Sequence, residues 1–338
     1  PTVARGLKKF PEYNILIDPD ETNYTLYKAA AVHNVIRHTS PVPAMKAVKN
    51  AAEIEGFRRS MVRDGVALVR FLMWLKPAVE RGGQTEMSVS ERLRGLRADD
   101  PMYRDLSFDT IAGYQEHGAI VHYEADGESD AALRPEGMIL IDSGAQYADG
   151  TTDITRTVAL GPVTNEQRRV YTLVLKGHLQ LQNMKFPYGA SGTQLDAAAR
   201  MAMWREGMNY LHGTGHGVGS YLNVHEGPHQ IRMEWRPAPL VPGMTVTDEP
   251  GLYLQDRFGV RTENMLIVKD YMETEFGRFL EFEPLTLCPI DKTPIIVSML
   301  TDDERAWLDD YHRRVYERLS PHLLPDERQW LENACSPL

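Results

Sequence analysis

Cysteine is almost missing from this chain. Cys288 and Cys335 are the only two in 338 residues, too few for a disulfide framework, so a reducing cytoplasm is the expected setting. Long apolar runs are missing too. None approaches the roughly 20 residues that span a bilayer, so no membrane partner is expected. Lys8-Lys9-Phe10 leads into no apolar stretch, and no secretory leader is expected. Basic charge is in deficit, with 37 Lys and Arg against 47 Asp and Glu and a net charge of −10. A nucleic-acid binder would show a basic excess or stripe, so no nucleic-acid partner is expected. No G-x-S-x-G elbow is present and neither cysteine has a motif around it, which leaves a covalent nucleophile without local support.

The remaining composition, 42% hydrophobic and 25% charged, is that of a globular protein with a substantial core. Residues 13–18 read as one short buried strand, followed by a helix over 24–31. Ser40-Pro41-Val42-Pro43 then breaks the chain and marks a boundary. Apolar residues at three- and four-residue steps predict a long helix over 44–75, and Ser88-x-x-Glu91 predicts a capping box for the next one. Strands are expected over 107–111, 119–123, 138–146, 151–160, 244–249, 259–268 and 279–288. Helices are expected over 164–184, 193–207, 301–319 and 326–333. Elements in blocks rather than strict alternation favour an α+β fold.

Two β-rich runs around the turn at Tyr147 to Gly150 predict a hairpin that carries Asp142 and Asp153 on opposite arms. Asp is poorly suited to strand interiors, and facing carboxylates repel unless a cation lies between them. A second hairpin repeats the pattern, with Glu249 and Glu263 flanking a turn at 255–259. Between the hairpins lies His212-Gly-Thr-Gly-His216-Gly-Val-Gly219, whose glycines let the backbone crowd a centre. Four converging carboxylates need about four compensating positive charges, which two divalent metals supply. His225-Glu226-Gly227-Pro228-His229 matches H-E-x-x-H literally. That zinc signature requires a helix, which Gly227 and Pro228 disfavour, so it is rejected.

In order and context, Asp142, Asp153, His216, Glu249 and Glu263 resemble the five-ligand pattern of the pita-bread metallopeptidases, the family of methionine aminopeptidase, aminopeptidase P, prolidase and creatinase. The resemblance runs from about residue 40 to 288. It is nearest to the long, eukaryotic-like type of aminopeptidase P, through Gly118-Ala-Ile-Val-His122-Tyr123, Tyr221-Leu-Asn-Val-His225-Glu-Gly-Pro228 and Gly259-Val-Arg261-x-Glu263-Asn264. Gly113-Tyr-Gln-Glu-His117 departs from that type, where many relatives have a Gly-Pro-Asn-type sequence.

The resemblance implies a curved antiparallel sheet covered by helices and a hydrolase that releases the residue preceding proline. A prolidase-like dipeptidase is the alternative, with a non-catalytic binding protein of the same fold behind it. It further implies that residues 1–40 are the end of a preceding creatinase-like domain, 41–290 the catalytic domain and 291–338 a helical extension. The chain would then be a fragment of a longer protein. By the same resemblance Asp142 holds one metal, His216 and Glu249 the other, and Asp153 and Glu263 bridge them. Glu249 moves the proton, while His122 and His225 bond the scissile carbonyl. His212 lines the proline side, and Arg261 and Tyr253 orient Glu249 and the bridging ligands. Four oxygen donors and one imidazole favour Mn²⁺, with Zn²⁺ or Co²⁺ as alternatives. A peptide with proline at its second position is the implied partner, and a homodimer the implied assembly.

Overall fold

The computed structural model describes residues 2–7, 9 and 13–338; Lys8 and Phe10, weighed above as part of a leader, lie outside the described residues. The chain forms two compact units, 1–46 and 47–338. In the first, the strand Asn14–Ile17 pairs in parallel with a second strand, Asn34–Arg37. The helix Tyr24–Ala30 connects them, capped by the Asn23 side chain. The second strand was not expected from sequence, because its four residues are mostly exposed and show no apolar alternation.

The second unit opens with the helix Ala51–Arg81, later at both ends than the 44–75 expectation. Asn50 fixes its start through a capping box with Glu53, and Gly82, at positive φ, ends it. The next helix, Glu86–Ala98, is capped by Thr85 with Ser88 at its third position. The predicted Ser88-x-x-Glu91 box is therefore one turn too late. Beneath these helices Arg97, fully buried, donates to both oxygens of Asp64 at 2.8 and 3.1 Å, and Tyr147 Oη donates to the same carboxylate at 3.0 Å.

The strands of this unit pair antiparallel, and with the helices they make an α+β architecture. Met138–Ser143 lies between Ile111–Tyr114 and Ile154–Ala159. Asn264–Thr274 lies between Thr245–Asp248 and Gly277–Pro284. All residues of the first trio are buried, which is why residues 138–141 read as an apolar run rather than alternation. The helices Asn165–Gln182 and Asp302–Leu319 bury Val170, Val174, Tyr311 and Val315 in one core cluster, joined by Leu331 of Pro325–Ala334.

Two strand expectations fail here. The run 107–111 falls between the strands Tyr103–Leu106 and Ile111–Tyr114. The run 119–123 is the end of a 3₁₀ turn, Gln115–Ala119, and the bend after it. The cause is Glu86, whose fully buried carboxylate accepts from Tyr114 N–H at 2.7 Å, Tyr123 Oη at 2.8 Å and Ala131 N–H at 3.0 Å. His117 Nδ1 lies 2.9 Å from the same group. One carboxylate thus gathers the segment into a compact loop that a strand could not make.

Candidate metal centre and active site

Each carboxylate pair sits where a β-ladder opens. Asp142 pairs with Thr155 near the end of one ladder, and Asp153 immediately precedes the returning strand. Asp248 pairs with Asn264 at the end of the other, with Glu249 and Glu263 just beyond. The chain then closes a further ladder between Gly251–Leu254 and Phe258–Arg261. The hairpins are stitched together: Glu263 N–H donates to Thr155 O at 3.1 Å, and Thr157 Oγ1 donates to Arg261 O at 3.0 Å. Arg156 spans the same seam, donating to Glu263 O at 2.6 Å and to Asn264 Oδ1 at 2.8 Å.

His216 enters on the short strand Gly215–His216, paired with Gln230–Ile231. A Cβ on Gly215 would fall 1.9 Å from Thr247 O, and one on Gly217 would fall 2.0 Å from Glu226 O, so glycine is required on both sides of the histidine. Thr247 Oγ1 accepts from His216 N–H at 3.0 Å and donates to Glu249 Oε1 at 3.0 Å. The His216 ring donates from Nδ1 to Gly217 O at 3.0 Å. Nε2 is thereby turned toward Asp153 Oδ2 at 3.5 Å and Glu249 Oε1 at 3.4 Å, the orientation a metal-facing histidine takes.

Ligand-type atoms of Asp153, His216 and Glu263 lie within 4.8 Å of one another. Asp142 accepts from Arg261 Nη2 at 2.6 Å, while its Oδ1 is buried without a hydrogen-bond partner. Thr155 Oγ1 donates to Glu263 Oε2 at 2.7 Å. Burial, and then the neighbouring charges, raise the carboxyls of Asp153 and Glu263 above their ordinary range and push Glu249 up to about 7. Burial pulls His216 down, but Asp153 and Glu249 outweigh it and lift the imidazole to about 9. Mutually repelling carboxylates, an orphaned oxygen and an oriented imidazole fit a cationic occupant.

The metal-free protein is therefore expected to lose stability as pH rises. Glu249 holds its proton more tightly folded than unfolded, so its contribution is complete below 4.5 and lost as pH rises through about 7. His216 acts with the same sign, from 6.5 up through about 9. The melting temperature of chelator-treated protein should fall across this range, and added Mn²⁺ should remove the slope. A flat metal-free profile would contradict the clustering.

A cavity of about 560 Å³ opens over these residues, with His122, His212, His225 and Arg261 also on its wall. His122 and His225 are exposed, and the His225 ring lies edge-on to His216 at 4.2 Å. Tyr253 joins two residues of this wall in a relay. Arg261 Nη1 donates to Tyr253 Oη at 2.7 Å, and that hydroxyl donates to His212 Nε2 at 2.8 Å. His212 Nδ1 donates to Gly213 O at 2.7 Å. Desolvation by burial holds His212 down at about 4, so the ring is neutral in one tautomer. Arg261 and Tyr253 thus contact Asp142 and His212, and Arg261 Nε also donates to Thr155 Oγ1 at 3.1 Å, the hydroxyl that donates to Glu263. The sequence reading had the pair orient Glu249 and the bridging ligands; the hydrogen bond to Glu249 comes from Thr247. The rejected zinc signature is irregular here. His229 is buried with Nε2 donating to Thr245 O at 2.7 Å, and Glu226 pairs with Lys49 at 2.9 Å.

Metallopeptidase family M24 matches residues 55–270, and the C-terminal region of that peptidase family matches 278–338. The chain belongs to metallopeptidase family M24. A probable Xaa-Pro aminopeptidase P of Laccaria bicolor is 42% identical over 345 residues, covering 100% of this chain and 54% of the relative. Aminopeptidase P1 of Arabidopsis thaliana is 42% identical over 95% of this chain and 54% of its own length. This M24 chain therefore spans about half the length of the curated relatives it matches. An X-prolyl aminopeptidase from Caenorhabditis elegans, described as a cytosolic enzyme with a di-nuclear active site, superposes with a TM-score of 0.91 at 38% identity, over 100% of this chain and 56% of that one. A Xaa-Pro dipeptidase from Bacillus anthracis gives 0.72 at 27% identity, over 86% and 77%. The architecture of this M24 chain is accordingly the pita-bread fold. Among the described residues no helix is long and apolar enough to cross a membrane.

Sequence reasoning passed over Thr155, Thr247 and Arg156. Thr155 and Arg156 lie inside the quoted Thr152-Asp153-x-Thr-Arg156 motif, which was the available signal, but their partners lie more than 100 residues away: Glu263 is 108 from Thr155 and 107 from Arg156.

Proposed function

We propose that this chain carries the catalytic domain of a Xaa-Pro aminopeptidase, which hydrolyses the bond before a proline at the second position of a peptide. The observation that carries this reading is the superposition on the X-prolyl aminopeptidase over the whole chain at a TM-score of 0.91, combined with five ligand-type side chains around one cavity. Residues 1–40 would be the end of a preceding domain, 41–290 the catalytic domain and 291–338 its helical extension. A cytoplasmic homodimer belongs to the same proposal.

Asp142, Asp153 and Glu263 would hold one divalent cation, and Asp153, His216, Glu249 and Glu263 the other, with Mn²⁺ matching the oxygen-rich set. Bound there, the cations supply Lewis acidity that acidifies water and stabilises charge on a carbonyl oxygen. Glu249, whose Oε1 lies 3.4 Å from His216 Nε2 on the cavity wall, takes the proton of the attacking water and delivers it to the prolyl nitrogen as it leaves. His122 and His225, on the exposed rim, donate hydrogen bonds to the substrate carbonyl. His212, kept neutral by burial, presents an uncharged face to the proline ring.

Hydrolysis of Arg-Pro-Pro and Gly-Pro by metal-stripped protein, with and without Mn²⁺, tests the reading. Manganese-dependent cleavage of the tripeptide is expected. Cleavage of the dipeptide alone would replace the proposal with a prolidase-like dipeptidase, and metal binding without turnover of either peptide would remove the catalytic assignment from this chain.

A further inference from the structure

The cavity wall carries two guanidinium groups among the described residues, and they are held very differently. Arg261, nearly fully buried, is committed to Asp142, Tyr253 and Thr155. Arg232 is committed to nothing buried. Its side chain is 26% exposed, and its carboxylate partner Glu234, at 2.6 Å, is 61% exposed. A longer contact, 3.3 Å, reaches Gln230 Oε1. Arg232 follows directly on Gln230–Ile231, the strand paired with the His216 segment, and it packs against Gly213, where an added Cβ would fall 3.7 Å from its own. It thus lines the same cavity as His212, whose chain neighbour it packs against. The carboxylates Asp109 and Glu124, also on the cavity wall, come from the separate 108–124 segment. Apart from the metal-site carboxylates and Arg261, the wall thus offers acidic groups from one segment and a cation from another.

We propose that Arg232 is a specificity-determining residue that binds a carboxylate on the leaving side of the substrate, just beyond the proline, with Glu234 as an exchangeable latch. This rests on the aminopeptidase reading above, which places the proline near His212. A guanidinium binds a carboxylate through two parallel N–H···O bonds, and a solvent-exposed ion pair contributes little net stability, so an incoming carboxylate displaces Glu234 at small cost. The carboxylate is either the free C-terminus of a tripeptide or the side chain of an acidic third residue.

The test compares kcat and KM of the Mn²⁺-loaded chain on Ala-Pro-Ala against its C-terminal amide, and on Ala-Pro-Asp-amide against Ala-Pro-Asn-amide. A preference of about tenfold, expressed in KM, is expected for the carboxylate member of at least one pair. The first pair reports the C-terminus and the second the side chain. Arg232→Gln should collapse that preference toward one, and Glu234→Gln should enlarge it by freeing the guanidinium. Calorimetric binding of Pro-Ala and Pro-Ala-amide reads the same discrimination without turnover. No preference in the native protein, or one that survives Arg232→Gln, overturns the assignment of Arg232. Product discrimination lost in Arg232→Gln, but with no hydrolysis of any peptide, upholds Arg232 as a carboxylate site and overturns the aminopeptidase reading instead.

Discussion

Asp153→Asn is expected to lower Mn²⁺-dependent peptide hydrolysis by at least about a thousandfold, equivalent to ~4 kcal/mol of lost transition-state stabilisation. Asp153 is where the two halves of the cluster meet. Its ligand oxygen belongs to the group with His216 and Glu263 that fits within 4.8 Å, and the charges of Asp142 and His216 both act on it. Asparagine keeps the shape and removes the charge. Calorimetry should therefore find fewer than two tightly bound cations, and activity should fall with the stoichiometry. The metal-free variant should meanwhile melt no lower than the metal-free parent, since one of four crowded carboxylates has been neutralised. Two cations retained at full activity would refute the bridging role.

Glu86→Ala has the largest expected effect on stability. The carboxylate is fully buried and serves two backbone N–H groups, the Tyr123 hydroxyl and His117. Truncating it leaves several buried donors unmet, a loss of about 3–5 kcal/mol in urea denaturation. Glu86→Gln retains one acceptor oxygen and should lose about half as much. The consequence extends to the cavity. The loop that Glu86 gathers carries His122 one residue before Tyr123, and His117 stacks on Tyr123 at 4.5 Å. Residual activity of Glu86→Gln should fall in kcat more than in KM. A variant as stable as the parent would show that the loop is held by other contacts.

The departure at Gly113-Tyr-Gln-Glu-His117 acquires a physical meaning from the same contacts. His117 is not a stray substitution near the substrate pocket; its ring is one of the groups gathered by Glu86. Local reading expected a strand at 119–123 because Ala-Ile-Val-His-Tyr is rich in β-formers. One buried carboxylate outweighs that preference, since its hydrogen bonds can be met only by a compact turn. The helix starts were misread more mildly, and for a related reason. Asn50 and Thr85 cap their helices by satisfying backbone N–H groups, but several polar residues near each start could have done so, and only the packed helix selects among them.

The candidate centre was legible because each ligand-type side chain sits in a short contiguous motif. Asp142 and Asp153 flank one hairpin and Glu249 and Glu263 another, and the glycines around His216 advertise a crowded backbone. The zinc signature could likewise be dismissed from Gly227 and Pro228 alone. The types of donor, their pairing within each hairpin and the α+β class were therefore determined by sequence. Tertiary structure alone decided which group steadies which. Arg261 reaches Asp142 across 119 residues of chain, Thr155 reaches Glu263 across 108, and Tyr253 meets His212 across 41. Strand period tells which face a side chain takes, but not which distant strand lies against that face. The register between the two hairpins supplies that missing coordinate. It turns Arg261 toward Asp142 and, through Thr155, toward Glu263, and leaves Thr247 to steady Glu249.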